Sequence, residues 1–312
     1  MARNGSIYVF VALSLCVALA GAAVSVLGVP LGRFSPYLDL FGQFAPQAGF
    51  GAAAIGIIYA AMRLKVMAGL ALGTALLSLL VVQPHAEIAA CAPETPTHRI
   101  AFLNLWNGNQ HIDATLDYMK SLDPDVIALV EMRPAFMAAV KQLSADYPYQ
   151  SACPKNCTAL VLSRRPLTEI TPELSHPKGP RSLAAVEVPY TDGTLTLVGV
   201  HLYRPWPYNH PVLQETEAAT LAHVLAPLAE PRLVLGDFNA APWGAITQLV
   251  ARGAALTPLT GVGTWRTNFP ALFRLPIDQA LAGSGISCAN RRVGDRVGSD
   301  HRPVIVDFAF TK

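Results

Sequence analysis

The sequence predicts an α/β (α+β) fold for residues 99–312, preceded by an apolar, all-helical region in residues 1–83. Two observations predict this division. Short apolar runs alternate with helical stretches along the second region, and most of the runs are continuously apolar, which is typical of strands covered by helices on one face and by a second sheet on the other. The mean hydropathy of +0.36, with 14% charged residues, is too high for an ordinary soluble protein, and the excess lies in the first region.

Three apolar stretches, near residues 7–29, 38–62 and 66–82, predict a transmembrane region of about three helices. The first carries no charge and is long enough to cross a bilayer as a helix, whereas the last is at the short end of spanning length. Gln43 and Pro46 interrupt the middle stretch. A cleavable signal peptide would account for the first stretch but not for the later ones.

The few basic residues of this region predict its orientation. Arg3 precedes the first stretch, and Arg63 and Lys65 form the link between the second and the third. The positive-inside rule makes these residues cytoplasmic, and everything after Val82 is then outside the cytoplasm, as in a multi-pass protein of a bacterial-type inner (cell) membrane. If the middle stretch does not cross, the same rule places the following domain inside. Residues 84–98 are predicted to be a proline-containing linker.

The five cysteines support an extracytoplasmic location. Cys16 lies in the first apolar stretch, which leaves an even number for the rest of the chain. Cys153 and Cys157 are expected to close a short loop, and Cys91 is a candidate partner of Cys288. An oxidising compartment would favour both pairs, whereas buried free thiols are the alternative.

Local signals place each element of residues 99–312 in turn. Asp123-Pro124 separates the first helix from the second strand, and Pro134 falls in the first turn of the next helix. Thr191-Asp192-Gly193 joins two strands as a hairpin. In chain order the strands are expected at 99–105, 125–130, 159–162, 183–188, 195–200, 232–235, 276–281 and 304–310, and the helices at 112–121, 134–144, 212–228 and 243–251.

The charge balance of the second region argues against binding of long nucleic acid. Of the 23 Lys and Arg residues four lie in residues 1–93, and of the 21 Asp and Glu residues two do, which leaves 19 of each sign for the rest. A neutral domain has no extended basic surface to attract a phosphate backbone.

The strongest local motif is Gly236-Asp237-Phe238-Asn239, directly after a buried strand. Asp237 and Asn239 are two residues apart and project to the same side. A carboxylate that takes a proton from water, beside an amide that holds the water, is a workable general-base pair. The alternative is a turn whose Asp and Asn side chains bond to their own backbone.

Further polar residues stand at the ends of other apolar runs. Asp300-His301 precedes the final strand, and Asp278 lies on the strand before it; a carboxylate hydrogen-bonded to an imidazole would fix its tautomer. The other candidates end or open a strand: Asn104, Glu131, His201 and, as a phosphate clamp, Arg181. Taken singly, each is as easily a structural or a solvated residue.

In this order, the motifs resemble those of the endonuclease/exonuclease/phosphatase superfamily, which has the deoxyribonuclease-I-like fold. The resemblance covers roughly residues 98–310, and its most specific parts are Ile277-Asp278 and Ser299-Asp300-His301. It implies a four-layer α/β/β/α sandwich of two packed mixed sheets. It also implies a metal-dependent phosphoric ester hydrolase, in which water attacks a phosphate with the help of a divalent cation.

The resemblance also implies a role for each matching residue. Glu131 resembles the main metal carboxylate, with Asn104 and Asp300 beside it, and Mg²⁺ is the expected ion, with Mn²⁺ as the other candidate. Asp237 and Asn239 resemble the residues that orient and deprotonate the water. The groups that hold the phosphate and stabilise its developing charge correspond to His201, Asp278 and His301.

Two departures from the superfamily pattern argue against its DNA-repair branch. Trp106 stands two residues after Asn104, where repair endonucleases carry an acidic residue. Gln279 follows Asp278, where His or Tyr is usual. Neither departure removes a residue to which the resemblance assigns a catalytic role.

The segment after His201 is expected to shape the substrate site, with Tyr203 and Arg204 as substrate-binding residues. Its aromatic residues and prolines suit a phosphate or pyrophosphate next to an apolar group, although a stiff surface loop has the same composition. With the apolar first region, this favours a lipid-linked or membrane-surface substrate, as in the membrane-anchored members of glycopeptide-resistance type that the chain resembles. A phospholipid headgroup is equally compatible.

The alternatives are an extracytoplasmic nuclease of the same superfamily and a catalytically inactive, membrane-tethered binding module. No protein partner is inferred.

Overall fold

The structure is a computed structural model. It describes residues 2–82, 88–95, 97–153, 157–171, 178–180, 182–259 and 261–311, without the side chains of residues 2–7, 9 and 10. The chain folds as two compact units. The first unit is Met1–Gln83 with Trp243–Ala245, and the second is Pro84–Pro242 with Ile246–Lys312.

The described residues of the first unit are mostly helical, as its composition predicts. Its helices are α1 (Ala2–Leu31), α2 (Pro36–Gly42), α3 (Ala45–Ala61) and α4 (Lys65–Val81). The buried side chains between them are mostly small and aliphatic, and Tyr59 is the largest of them.

The number of spans differs from the prediction of about three. By length and composition, the described residues contain one helix able to cross a membrane, Val11–Phe34, and two if α2 and α3 form one broken span. These two helices are bent by 57°. Pro46 in the first turn of α3 lacks an amide donor, which disfavours a continuous helix through this point. Helix α4 has 17 residues, fewer than the roughly 20 that a bilayer needs.

Among the residues that the structure describes, the second unit contains two six-stranded mixed sheets. The first sheet has the order β11-β12-β1-β2-β4-β3 and the second has the order β5-β6-β7-β8-β10-β9. The strands are β1 (His98–Asn104), β2 (Val126–Val130), β3 (Tyr149–Gln150), β4 (Ala159–Ser163), β5 (Thr168–Glu169), β6 (Ser182–Pro189), β7 (Thr194–His201), β8 (Arg232–Asp237), β9 (Thr257–Pro258), β10 (Asp278–Ala282), β11 (Ile286–Val293) and β12 (Val304–Phe310).

The two sheets pack face to face and carry helices on their outer faces, so the predicted four-layer sandwich is confirmed. Phe102, Leu197 and Leu235 are among the side chains buried between the sheets. On the outer face of the first sheet lie α5 (Ile112–Ser121) and α6 (Met137–Lys141). The second sheet is covered by α7 (His210–Leu225) and α8 (Ala245–Gly253).

Most of the predicted strands and helices are present, and the differences have local causes. Strand β11 was not predicted, because its sequence ends in polar and basic residues of an edge strand. The helix expected at 134–144 divides into the short α6 between two 3₁₀ turns, Pro134–Phe136 and Gln142–Ala145. The expected hairpin is formed by β6 and β7.

Both expected cysteine pairs are disulfide-bonded, Cys91 with Cys288 and Cys153 with Cys157. The first bond ties part of the predicted linker to the sandwich. The amide of Ala289 donates to Ala89 O at 2.9 Å, and the amide of Cys91 donates to the side chain of Asn290 at 3.1 Å. Residues 88–91 therefore lie along edge strand β11 rather than forming a free connection.

The strand directions bring the candidate site residues to one edge of the sandwich. Strands β1 and β2 are parallel, and so are β7 and β8, which places four carboxyl ends together. Strand β10 runs antiparallel to β8, and its first residue, Asp278, is paired with Asp237. His201 is paired with Asp237 on the other side.

Candidate active site

Asp237 is the centre of a polar cluster at this edge. It ends strand β8 and its side chain is 2% exposed. Its Oδ2 accepts a hydrogen bond from Asn104 Nδ2 at 2.9 Å and lies 3.5 Å from His201 Nε2 and 3.7 Å from His301 Nε2. Its Oδ1 accepts from the amide of Asn239 at 2.8 Å. One buried carboxylate is thus shared by two imidazoles and two Asn residues.

The predicted pair of Asp278 and His301 is formed. His301 Nδ1 lies 2.9 Å from Asp278 Oδ2 and 3.1 Å from Oδ1. Both residues are buried, and His301 Nε2 faces Asp237. The carboxylate fixes the ring so that Nε2 is the atom directed at the shared cluster. Ser299 supports this arrangement, because its hydroxyl donates to Asn104 O at 2.7 Å and accepts from the amide of His301 at 3.0 Å.

Asn239 holds His201 in the same cluster. Its side-chain amide lies 3.2 Å from His201 Nε2 and donates to Leu202 O at 3.1 Å. Asn239 has a positive φ of 49°, a conformation that a non-glycine residue adopts at some expense. The turn after β8 therefore forces the amide toward the end of β7.

Glu131 lies beside this cluster and is more accessible. Its Oε1 accepts from Asn104 Nδ2 at 3.1 Å, its Oε2 accepts from the amide of Asn107 at 2.9 Å, and Oε1 is 3.9 Å from His201 Nε2. Glu131 also has a positive φ, of 55°. The structure therefore brings the side-chain amide of Asn104 into direct contact with the Glu131 carboxylate.

Asp300 approaches the cluster from the other side. Its Oδ2 accepts from Trp265 Nε1 at 3.0 Å, and its Oδ1 lies 3.8 Å from His301 Nε2. Oδ1 is buried and has no hydrogen-bond partner among the described residues. A buried carboxylate oxygen that lacks a donor is suited to a cation or to a proton-bearing ligand.

The electrostatic environment favours proton transfer at Asp237. Burial raises the pKa of Asp237, although the nearby His301 and His201 oppose this rise. Burial alone would lower the pKa of His301, but the carboxylates of Asp278 and Asp237 outweigh it and raise the pKa to about 10. A carboxylate with a raised pKa is a stronger base, and a charged imidazole can stabilise negative charge on a phosphate.

The residues present fit a divalent cation. Glu131, Asn104 and Asp300 offer oxygen atoms, which are the ligands that Mg²⁺ prefers, and Asp300 Oδ1 needs a partner. A second grouping, Asp237, Asp278 and His301, has ligand atoms within 4.8 Å of one another. We favour the first set, because Asp278 and His301 Nδ1 already satisfy each other.

The cluster forms part of the lining of a cleft of about 710 Å³. Tyr203 and Arg204, the predicted substrate-binding residues, line it together with Trp106 and Trp265. Arg181, the predicted phosphate clamp, lies outside the described residues. Its neighbour Ser182 also lines the cleft.

Several supporting residues were missed from the sequence. Gln214 of α7 donates to Phe238 O at 2.8 Å and to Asn239 O at 3.1 Å, and Gln279 donates to Ala240 O at 2.7 Å. Glu217 accepts from the amide of Tyr203 at 2.8 Å. The only sequence signal for Gln214 and Glu217 is their position on an otherwise apolar helix face. The sequence contains no signal for the contact made by Trp265.

Comparisons with known proteins agree with this architecture. Residues 101–301 match the sequence profile described as the Endonuclease/Exonuclease/phosphatase family. None of the curated proteins matches the chain in sequence.

Three solved structures are similar in fold. A beta toxin from Staphylococcus aureus with bound magnesium ions is 12% identical, with a TM-score of 0.55 over 70% of this chain and 100% of its own. Sphingomyelinase C from Streptomyces griseocarneus is 14% identical, with a TM-score of 0.50 over 68% and 99%. D. rerio TDP2 complexed with a single strand DNA product is 16% identical, with a TM-score of 0.53 over 69% and 100%.

Proposed function

The chain belongs to the Endonuclease/Exonuclease/phosphatase family, since the match spans more than half of it, and is a phosphoric ester hydrolase. From this premise we propose that it cleaves a phosphate ester or pyrophosphate on a lipid-linked or membrane-surface substrate, with Mg²⁺ as cofactor. The observation that carries the proposal is the buried Asp237 carboxylate between two imidazoles at a cleft.

Each residue of the cluster has a chemical role in this proposal. Asp237 accepts the proton of the attacking water, and Asn239 orients that water. His301, positioned by Asp278, donates from Nε2 to a phosphate oxygen, and His201 does the same from the β7 side. Both imidazoles lie within 4 Å of Asp237 Oδ2, so donor and base act on adjacent atoms of one substrate.

Glu131, Asn104 and Asp300 are the residues that would hold the cation. A bound divalent ion would neutralise charge on the phosphate oxygens. Asn104 connects the two functions, because its Nδ2 donates to both Glu131 and Asp237. The hydrogen bond to Asp237 fixes the position of this base relative to the proposed cation site.

Three observations support a substrate held at a membrane. Most of the span Val11–Phe34 belongs to helix α1. Only 22% of the apolar window in this span is buried, unlike the core helix of a soluble protein. Residues 94–312 are formally neutral, so their net charge does not attract the phosphate backbone of a nucleic acid. The cleft is lined by Tyr203, Trp106 and Trp265 beside Arg204, which suits a phosphate attached to an apolar group.

The proposal is tested with the purified full-length protein in detergent. We expect magnesium-dependent hydrolysis of bis-p-nitrophenyl phosphate, loss of this activity in EDTA, and loss in Asp237→Asn. We expect faster cleavage of a polyprenyl pyrophosphate or a phospholipid than of duplex DNA. Activity that persists in EDTA would contradict the metal requirement, and preferential cleavage of DNA would assign the chain to the nucleases.

A further inference from the structure

Two loops beside the cleft carry large apolar side chains in water. One loop, residues 202–209, connects β7 to α7, and its Tyr203 and Arg204 line the cleft. The other precedes β10, and its Trp265 lines the same cleft. We define the aromatic rim as five exposed residues of these loops: Trp206 (69% exposed), Tyr208 (88%), Phe269 (46%), Leu272 (51%) and Phe273 (54%).

The rim residues are held in their exposed positions by hydrogen bonds of the loops. In the first loop the amide of Tyr203 donates to Glu217, and the amide of His210 donates to Pro207 O at 3.1 Å. In the second loop the 3₁₀ turn Ala271–Phe273 raises Leu272 and Phe273, and Arg274 Nε donates to Phe269 O at 2.9 Å. Water contact with large apolar groups is unfavourable, so several such groups exposed on two loops that border one cleft indicate a surface that is buried against something else.

The charges around the rim identify what covers it. Residues 202–214 and 257–277 contain no Asp or Glu, and their basic residues are Arg204, Arg266 and Arg274. Trp and Tyr are the side chains enriched at the headgroup level of a bilayer, and Arg reaches from such a position to lipid phosphates. Anionic lipid attracts isolated basic residues of this kind. Leu272 and Phe273 suit the acyl boundary.

We propose that the aromatic rim inserts into the interfacial layer of an anionic bilayer, so that the mouth of the cleft opens among the headgroups. Insertion itself depends only on the rim, whereas its catalytic benefit rests on the proposed function. Because the base Asp237 and the loops share one cleft, a headgroup phosphate would reach the cluster without its lipid leaving the membrane.

Fluorescence of Trp206 in a defined bilayer tests insertion without any activity assay. The full-length protein and Trp206→Phe are reconstituted in nanodiscs of phosphatidylcholine and phosphatidylglycerol, with and without brominated acyl chains. The chain has four Trp residues, so the difference between the two proteins gives the signal of Trp206. We expect brominated lipid to quench at least half of this difference signal. The proposal is overturned if brominated lipid does not quench Trp206. It is also overturned if an oligothymidine quenches Trp206 and brominated lipid does not.

Activity on two substrates separates insertion from chemistry. We expect Trp206→Ser/Tyr208→Ser and Leu272→Ser/Phe273→Ser to cleave soluble bis-p-nitrophenyl phosphate within twofold of the parent and to lose at least tenfold on a phosphate lipid in anionic vesicles. Leu249→Ser, an exposed apolar residue of α8, is the matched control and should change neither rate. Equal rates on vesicles would overturn the proposal. An inactive parent with a quenched Trp206 would contradict the proposed function and leave insertion established.

Discussion

At the scale of single residues, the candidate site combines backbone strain with buried charge. Glu131 and Asn239 follow buried strands and both adopt positive φ, at about 1–3 kcal/mol each. Such conformations persist where the surroundings enforce them. Asn107 and Asn104 hold the carboxylate of Glu131, and Gln214 holds the backbone at Asn239. Two of the seven described non-glycine residues with positive φ are thus residues proposed to touch metal and water.

Glu131→Gln tests the proposed metal site. The amide retains the shape and one oxygen but removes the charge, so we expect loss of magnesium binding and of turnover, by about 100-fold or more. Calorimetric titration with Mg²⁺ and the rate of bis-p-nitrophenyl phosphate cleavage measure both effects. Glu94→Gln, at an exposed position, is the matched control. Full activity of Glu131→Gln with an unchanged thermal midpoint would refute its role as the main ligand.

Asp278→Asn tests the positioning of His301. The amide can no longer accept a strong charge-assisted hydrogen bond from Nδ1, so the imidazolium loses the largest of the charges that raise its pKa. We expect the turnover number to fall by about 10²–10⁴-fold while the affinity for Mg²⁺ changes little. Kinetics and metal titration on the same preparation measure the two quantities. A large loss of metal affinity with a normal rate in saturating Mg²⁺ would reassign Asp278 to the metal site.

At the scale of elements, helix α7 connects two loops of the site. Gln214 bonds the turn after β8, and Glu217, almost one turn later, bonds the loop after β7. A single helix thereby sets the spacing between Asn239 and the cleft residues Tyr203 and Arg204. Both side chains are buried on a helix face that is otherwise apolar, so their polar contacts lie inside the unit.

Gln214→Met tests this connection. Methionine keeps the volume but leaves two buried carbonyls without a donor, so we expect a loss of about 1–3 kcal/mol in the free energy of unfolding. We also expect the turnover number to fall more than the substrate affinity, because Asn239 loses its support. Denaturant unfolding and steady-state kinetics measure these effects. Thr220→Val on the exposed face of α7 should stay within about 0.5 kcal/mol; an equal effect in both variants would show that only helix stability was changed.

The strand-end residues could be predicted from the sequence because parallel strands carry their carboxyl ends to one edge. Asn104, Glu131, His201 and Asp237 each follow an apolar run, and this local pattern sufficed to group them. Gln214 and Trp265 could not be predicted in the same way, since neither follows an apolar strand: Gln214 lies on helix α7 and Trp265 lies in the loop before β10. The break before Pro46 was visible in the sequence, but its 57° bend depends on packing between helices.

The two disulfides differ in the length of chain that they close, and this difference predicts their contributions to stability. Cys91 and Cys288 are 197 residues apart, whereas Cys153 and Cys157 are 4 apart. We expect Cys91→Ala/Cys288→Ala to lose about 2–5 kcal/mol of unfolding free energy and Cys153→Ala/Cys157→Ala to lose much less. Denaturant unfolding of the two double variants compares them directly. Equal losses would show that the long bond acts by local packing along β11 rather than by restricting the unfolded chain.

At the scale of the whole molecule, the disulfides and the helices both bear on which side of the membrane the second unit lies. Two bonded pairs indicate an oxidising compartment. With Arg3 in the cytoplasm, an odd number of spans places the second unit outside and an even number places it inside. Span Val11–Phe34 alone gives the first arrangement, whereas adding α2 and α3 as one broken span gives the second. The disulfides therefore favour one crossing over two.

The last prediction is that the second unit lies outside the cytoplasm, next to the membrane that holds its substrate. Only residues 82–87 separate the end of α4 from residue 88, which is tied along β11, and such a segment spans at most about 25 Å when fully extended. A short tether raises the local concentration of a lipid-borne phosphate around the cleft. Alkaline phosphatase fused after residue 312 should be active in cells, and a fluorescent protein fused there should be dark. The reverse pattern would place the unit in the cytoplasm, require two crossings, and leave both disulfides without the compartment that forms them.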